Sequence, residues 1–264
     1  MNILDKIIAY KRDEVEQAKK RTPVTVLELS SFFQRPVLSL KESLLRPGST
    51  GIIAEFKRQS PSKGVINAKA DVTQVTKGYA SAGAAALSVL TDTQFFGGSK
   101  ADLESARTNH IPILRKDFII DEYQVIEARS MGADVILLIA ANLSPSEVKR
   151  LAAFAKTLQL EVLLEVHNEE ELGHICDECD VVGVNNRDLK SFTVDINRSL
   201  ELGEKIPAGK VKISESGITD TGTIYKLRSA GFKGFLIGES FMKQEDPAVA
   251  FASFVKHLKT LSPT

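Results

Sequence analysis

Six short segments of this sequence end in side chains that can move protons or hold anions. Glu55-Phe56-Lys57 runs on into Arg58-Gln59-Ser60-Pro61-Ser62-Lys63-Gly64. Arg115-Lys116-Asp117-Phe118, Glu165, Asn185-Asn186-Arg187, Ser214-Glu215-Ser216-Gly217 and Gly238-Glu239-Ser240 follow at intervals. Lysines and glutamates withdrawn together from water are driven apart in pKa, and that separation prepares them for general acid–base work. Small residues such as Ser216-Gly217 and Gly238 let backbone N–H groups approach an oxygen-rich ligand, a phosphate above all. One charge at a strand end is ordinarily a surface ion pair, and one glycine there is ordinarily a turn. Six such ends meeting at one place are more than a scaffold requires.

What must position them is a run of β-rich apolar segments: Gly51–Lys57, Ala85–Thr91, Ile111–Phe118, Asp134–Ala140, Glu161–Val166, Val181–Asn185, Val211–Ser214 and Gly234–Gly238. Between most of them lie stretches of helical periodicity, among them Ser146–Leu158 and Thr219–Ala230. Ser144-Pro145-Ser146-Glu147 supplies a helix cap with proline at the first helical position, and Gly132 and Gly231 supply stops. Continuously apolar strands suit a parallel sheet covered on both faces. The pattern predicts an α/β fold, a (β/α)8 TIM barrel over residues 51–264, with residues 1–50 as a helical extension packed on it. The whole reads as a single domain. An open doubly wound sheet is the alternative, but neither GxGxxG nor GxxxxGK[ST] follows the first strand. In such a barrel the C-terminal strand ends form the active face. Glu55 and Lys57 share one face of their strand, and with apolar residues expected on the helix side they should point into the barrel mouth.

Composition excludes several classes. The chain has 264 residues, with 34 Lys+Arg against 34 Asp+Glu, so no basic excess suggests a nucleic-acid binder. Two cysteines cannot build a disulfide scaffold and fit a reducing compartment. The longest strictly apolar run, Val135–Ala141, falls far short of the roughly 18–20 residues that cross a bilayer. The N-terminus meets Asp5 and Lys6 too early for a signal peptide, so a soluble, cytoplasmic protein is expected. Its first twenty residues form an amphipathic helix with Ile3, Ile7, Ile8 and Val15 on one side. The Lys11-Arg12 and Lys19-Lys20-Arg21 clusters read as its solvated face.

Other candidates are weaker. Cys176-Asp177-Glu178-Cys179 has CxxC spacing without a second pair to complete a zinc site. His110, His167, His174 and His257 are scattered, so no metal site is expected. Gly97-Gly98-Ser99-Lys100 fits a turn in which Ser99 caps the next helix better than a phosphate loop. No GxSxG or paired Cys and His supports a nucleophilic triad.

The segments IIAEFKRQSPSKG, LSVLTDTQFFGGS, ILRKDFIIDEYQVIEARSMGADVILLI, LLEVH, VGVNNRDL, ISESGI and FLIGESFM together resemble the indole-3-glycerol phosphate synthase family, in order across residues 51–242. The helical extension is similar to the one that family carries. The resemblance implies a tryptophan-pathway carboxy-lyase that cyclises 1-(2-carboxyphenylamino)-1-deoxyribulose 5-phosphate with loss of carbon dioxide and water. It implies Lys116 as general acid, Glu165 as general base and Glu55 as a third catalytic carboxylate. Asn185 and Arg187 match residues that contact substrate hydroxyls and hold the site together. Glu215 and Ser216 match the pair lining the pocket at the seventh strand. Lys57, with backbone at Gly217, Gly238 and Glu239, matches the phosphate site; Ser60 lies near the place of the substrate carboxylate. Phe96 and Phe118 match aromatic positions beside the ring, and Arg58–Gly64 resembles a mobile lid. Phe56, Arg58-Gln59 and the FMK after the eighth strand depart from the family pattern without touching the acid or the base.

No cofactor or metal is implied. The expected partner is a phosphorylated small molecule, not nucleic acid or membrane, bound by a monomer or weak oligomer. A phosphoribosylanthranilate isomerase would need a cysteine at a strand end, and neither Cys176 nor Cys179 is at one. A phosphate-sugar binding barrel without turnover would be expected to lack Lys116, Glu165 or Glu55. A fused second enzyme is not expected after HLKTLSPT.

Overall fold

In the computed structural model, residues 3–188 and 191–261 are described. Met1 and Asn2 of the expected first helix, Leu189 of the NNRDL segment and the end of HLKTLSPT lie outside them. Eight parallel strands close on themselves: β1 Ile52–Phe56, β2 Ala86–Leu90, β3 Ile113–Lys116, β4 Val135–Ile139, β5 Glu161–Val166, β6 Val181–Asn185, β7 Val211–Glu215 and β8 Gly234–Ile237. Closure is made where β1 pairs with β8, Ile53 opposite Leu236. The chain is therefore a (β/α)8 TIM barrel, and the open sheet is excluded. The expected strands shorten by one or two residues at some ends, because pairing stops where side chains begin to serve the loops.

Local signals act as their chemistry dictates. Ser144 caps the helix Pro145–Thr157 in a capping box with Glu147. Ser99 caps Lys100–Ala106, which settles the Gly97-Gly98 segment as a turn. Gly132 and Gly231, at φ of 88° and 86°, take the left-handed conformation that ends a helix cheaply only with glycine.

Apolar residues form two layers. Ile53, Leu114, Leu137, Leu163, Ile213 and Leu236 fill the barrel interior, and a larger shell including Tyr79, Val125, Leu151, Ile224 and Phe251 packs the strands against the helices. The helix side is not uniformly apolar, contrary to expectation. On β3 and just beyond it, Arg115 and Asp117 alternate with Lys116 and are buried in an ion network with Glu127 and Thr91. Asn186 and Ser214 form a second polar cluster with Ser199.

The first fifty residues wrap the barrel from one end to the other. Helix Leu40–Leu45 packs Leu40 and Leu44 onto the interior layer. Ser43 donates to the Ala85 carbonyl, and Ser39 and the Lys41 N–H bond Glu161, so this helix closes the barrel at the strand N-termini. At the same end, just before β4, Arg35 and the Leu38 N–H hold the fully buried Asp134. The helix Ile3–Arg21 lies at the opposite end, where Ile3, Leu4 and Ile7 reach the central cavity.

One residue of that helix corrects the sequence reading. Lys11 is 1% exposed rather than solvated; its Nζ lies 2.9 Å from Asp92 and from Asp117 and 2.8 Å from Glu14. A buried ammonium costs too much unless paired, and here carboxylates just beyond β2 and β3 pair it. Burial alone would lower its pKa, but Asp117 and Asp92 outweigh that and hold it well above the ordinary lysine value. Lys11→Met takes the ammonium away from two buried carboxylates, and the expected loss of stability is about 3–5 kcal/mol, measured by urea unfolding. A loss within experimental error would show that the clamp contributes nothing.

Candidate active site

The C-terminal ends of the strands surround a cavity of about 520 Å³, in the range that holds a small-molecule ligand. Alternation along each strand decides which side chains enter it. Glu55 and Lys57 do so together, as expected, with the Lys57 ammonium 2.5 Å from the Glu55 carboxylate. Lys116 projects from the end of β3, Glu165 from β5, Asn185 from β6 and Glu215 from β7. Lys116 Nζ lies 3.1 Å from Glu165 Oε2 and 3.9 Å from Glu215 Oε2. Asn185 donates to the other Glu165 oxygen at 3.0 Å.

Burial and charge set the ionisation states. Desolvation alone would lower the pKa of Lys116, but Glu165, Glu215 and Glu55 outweigh it and hold the ammonium above the ordinary lysine range. Desolvation would likewise raise Glu165; Lys116, His167 and Asn185 reverse this and hold it well below the carboxylate range. Glu215 goes the other way. Burial, then the charge of Glu165, push it up to about 8 against the pull of Lys116. One cavity thus holds an ammonium, an ionised carboxylate and a neutral carboxylic acid near pH 7, the separation that proton transfer needs.

A second corner lies beyond β7 and β8. Ser216 and Gly217 both take positive φ, 69° and 77°, a rare conformation for serine. A Cβ on Gly217 would collide with Val194 at 2.2 Å. Gly238 caps the short helix Glu239–Met242 without any side-chain cap bond, and a Cβ there would meet Glu55 Oε1 at 2.6 Å. Its small size therefore serves the neighbouring carboxylate as well as the turn. Glu239 accepts Arg187 at 3.1 Å and pairs with Lys63 at 3.5 Å.

The loop after β1 is a small hairpin, Gln59–Ser60 against Gly64–Val65. Arg58 ties it down through two bonds to Asp102, at 2.7 and 2.8 Å. Ser60 lines the cavity, as do Phe96 and Phe118, whose rings sit 6.0 Å apart and tilted by 40°. Every sequence-predicted site residue borders this one cavity.

The sequence model of the family described as indole-3-glycerol phosphate synthase matches residues 4–254. An indole-3-glycerol phosphate synthase of Bacteroides thetaiotaomicron is 46% identical over 98% of this chain and 99% of its own length. Those of a Polaromonas species and of Salinibacter ruber are 46% and 44% identical, over 95% and 96% of this chain and 97% and 94% of theirs. The chain belongs to the indole-3-glycerol phosphate synthase family. Among solved structures, a 3-hexulose-6-phosphate synthase superposes with a TM-score of 0.61 at 15% identity, covering 80% of this chain and 98% of that one. That likeness is of fold alone.

Two features of this synthase-family chain escaped the sequence reading. His167 was grouped with the scattered histidines, yet its Nε2 lies 3.1 Å from Glu165 Oε1. The signal was present: His167 directly follows β5 two residues after Glu165, so continued alternation puts both on one face. Gly183 on β6 looked like an ordinary strand residue, but a Cβ there would meet Glu215 Oε1 at 2.2 Å. Glycine at 183 is what admits the Glu215 carboxyl. The Cys176–Cys179 pair, both thiols free, lies away from the cavity lining.

Glu215 keeps its proton to about 8 in the folded chain and to 4.5 in its absence. Between these values the folded state holds more protons than the unfolded state, so this residue makes stability fall as pH rises. Glu215→Gln lacks that dependence. Its stability relative to the parent should rise between about pH 5 and pH 8, read from urea midpoints; a constant difference would mean that Glu215 is ionised throughout.

Proposed function

We propose that this chain acts as an indole-3-glycerol phosphate synthase on 1-(2-carboxyphenylamino)-1-deoxyribulose 5-phosphate. The observation that carries the reading is the Lys116–Glu165 pair, with a neutral Glu215 beside it, set between a two-ring apolar wall and a glycine-lined corner. The substrate has the matching parts: an aromatic ring with a carboxylate, a ribulose carbonyl, hydroxyls and a phosphate.

In this reading the phosphate sits at Gly217, Gly238 and Glu239, receiving backbone N–H groups, with Lys57 supplying charge. Arg187 and Lys63, which neutralise the Glu239 side chain, keep that corner from repelling an anion. The ring lies against Phe96 and Phe118, and Ser60 faces its carboxylate. The ring carbon bearing the carboxylate then reaches the ribulose C2 carbonyl.

Lys116, held protonated, gives a proton to the C2 oxygen as the ring carbon attacks, so the new C–C bond forms without building a free alkoxide. Loss of carbon dioxide leaves its bonding electrons to the ring and restores the aromatic system. The C2 hydroxyl then departs as water on a proton given by the neutral Glu215 carboxyl, and Glu165, held ionised, takes a proton from C1 as the indole double bond forms. Atoms balance: substrate becomes indole-3-glycerol phosphate, carbon dioxide and water. Glu55 balances Lys57 and Lys116, while Asn185 fixes Glu165, and Asn185, Glu215 and Ser216 are placed to meet the hydroxyls.

Mixing the protein with that substrate, with no metal or nucleotide added, should produce indole fluorescence. The sequence has no Trp, so no indole emission of its own interferes. Lys116→Ala and Glu165→Gln should each lower turnover by at least about 10²-fold, the range for a positioned acid or base. Binding of substrate by the folded parent protein without fluorescence would replace the synthase with a non-catalytic barrel.

A further inference from the structure

Glu165 is held from three directions: Lys116 on Oε2, and Asn185 and His167 on Oε1. The reaction proposed above uses Lys116 and assigns Asn185 to fixing the carboxylate, but has no use for the imidazole. His167 is nonetheless 8% exposed and lies between two carboxylates, Glu165 at 3.1 Å from Nε2 and Glu171 at 3.3 Å from Nδ1. Glu171 is itself built into place. Its Oε2 accepts the His167 backbone N–H at 2.7 Å, its Oε1 accepts Asn168 at 2.8 Å, and its own N–H donates to Asn168 at 3.0 Å. The tight turn Glu170–His174 that follows β5 thus presents a fixed anion to the back of the ring.

We propose that His167 is a positioning residue which, by its positive charge, holds the Glu165 carboxylate in place against Lys116, with Glu171 keeping that charge on the ring. The inference rests on Glu165 being the base. Nε2 lies 3.1 Å from Glu165 Oε1, near enough for both its N–H and its charge to act on the carboxylate. Asn185 cannot supply the charge, being neutral at every pH. Lys116 cannot supply it throughout the reaction, because the mechanism spends its proton. When Lys116 gives up that proton, Glu165 loses one of its two adjacent cations, and His167 is what keeps it ionised until it takes the proton from C1.

The groups facing the ring act in a definite order. Burial alone would lower His167, but Glu165 and Glu171 raise it to about 9, so the ring carries its charge at neutral pH. Across Glu165 stand Lys116, which opposes that charge, and Glu215, itself influenced by His167. Removing the imidazolium removes a cation from Glu165, raises the pKa of the base and moves the acidic limb of the rate profile upward.

The test has two independent arms. In turnover, His167→Leu should reduce kcat by about tenfold with little change in KM, and shift the acidic limb of kcat up by about one pH unit. His167→Gln restores a donor without charge, so its limb should stay shifted; a parent-like profile in both folded variants overturns the proposal. The second arm needs no turnover and leaves His167 intact. The imidazole resonances of the four histidines are titrated by NMR in the parent and in Glu165→Gln. The His167 midpoint should fall by about one pH unit or more in the variant, and an unmoved midpoint overturns the coupling. If the parent enzyme shows no synthase turnover while the NMR midpoint falls, the synthase reading fails and the His167–Glu165 link stands.

Discussion

The half-buried ammonium of Lys116 is the interaction around which the upper half of this barrel is organised. A lysine withdrawn from water keeps its charge only if carboxylates surround it, and Glu165, Glu215 and Glu55 do so. Three carboxylates crowded into one cavity cannot all ionise freely, and the system resolves by leaving Glu165 charged and Glu215 neutral. Backbone composition follows from that packing. Gly183 and Gly238 are small because the Glu215 and Glu55 carboxyl groups occupy the space a side chain would take. Charge balance and steric fit are here the same constraint.

The strand that presents Lys116 is braced from its other face. Arg115 and Asp117, which flank it in sequence, point toward the helices and join Lys11, Asp92, Thr91 and Glu127 in one buried ion network. Alternation of side chains along β3 therefore divides consecutive charges between the cavity inside the barrel and the ion network outside it. The first helix contributes Lys11 to the outer network and apolar residues to the cavity rim. The helix Leu40–Leu45, meanwhile, closes the opposite end through Leu40 and Leu44. The extension links both ends of the barrel, so the site and the fold share supports.

Much of this was legible in the residues. Continuous apolar strands at β4 and β6, capping boxes such as Ser144–Glu147, and glycine stops at 132 and 231 follow from short-range physics that operates within a few residues. The same holds for Glu55 with Lys57, since a period of two needs only the knowledge that the segment is a strand. Lys11 was misread for the complementary reason. Helical position alone places a lysine at the edge of an apolar face, and solvation is its cheaper state; only Asp92 and Asp117, about 80 and 106 residues further along the sequence, make burial affordable. His167 was overlooked because its significance depends on Glu171 and on the direction in which the chain turns after β5.

Sequence alone thus determined the barrel, its strand order and the list of polar residues at the strand ends, because periodicity, caps and composition are local quantities. It also carried the family resemblance, which the chain-long match to the synthase family bears out. What only the tertiary structure decided is ionisation and support: which carboxylate keeps its proton, which lysine is buried, and which glycine makes room for which side chain. Those properties come from distances between residues remote in sequence, and electrostatic and steric energies depend on such distances rather than on order along the chain.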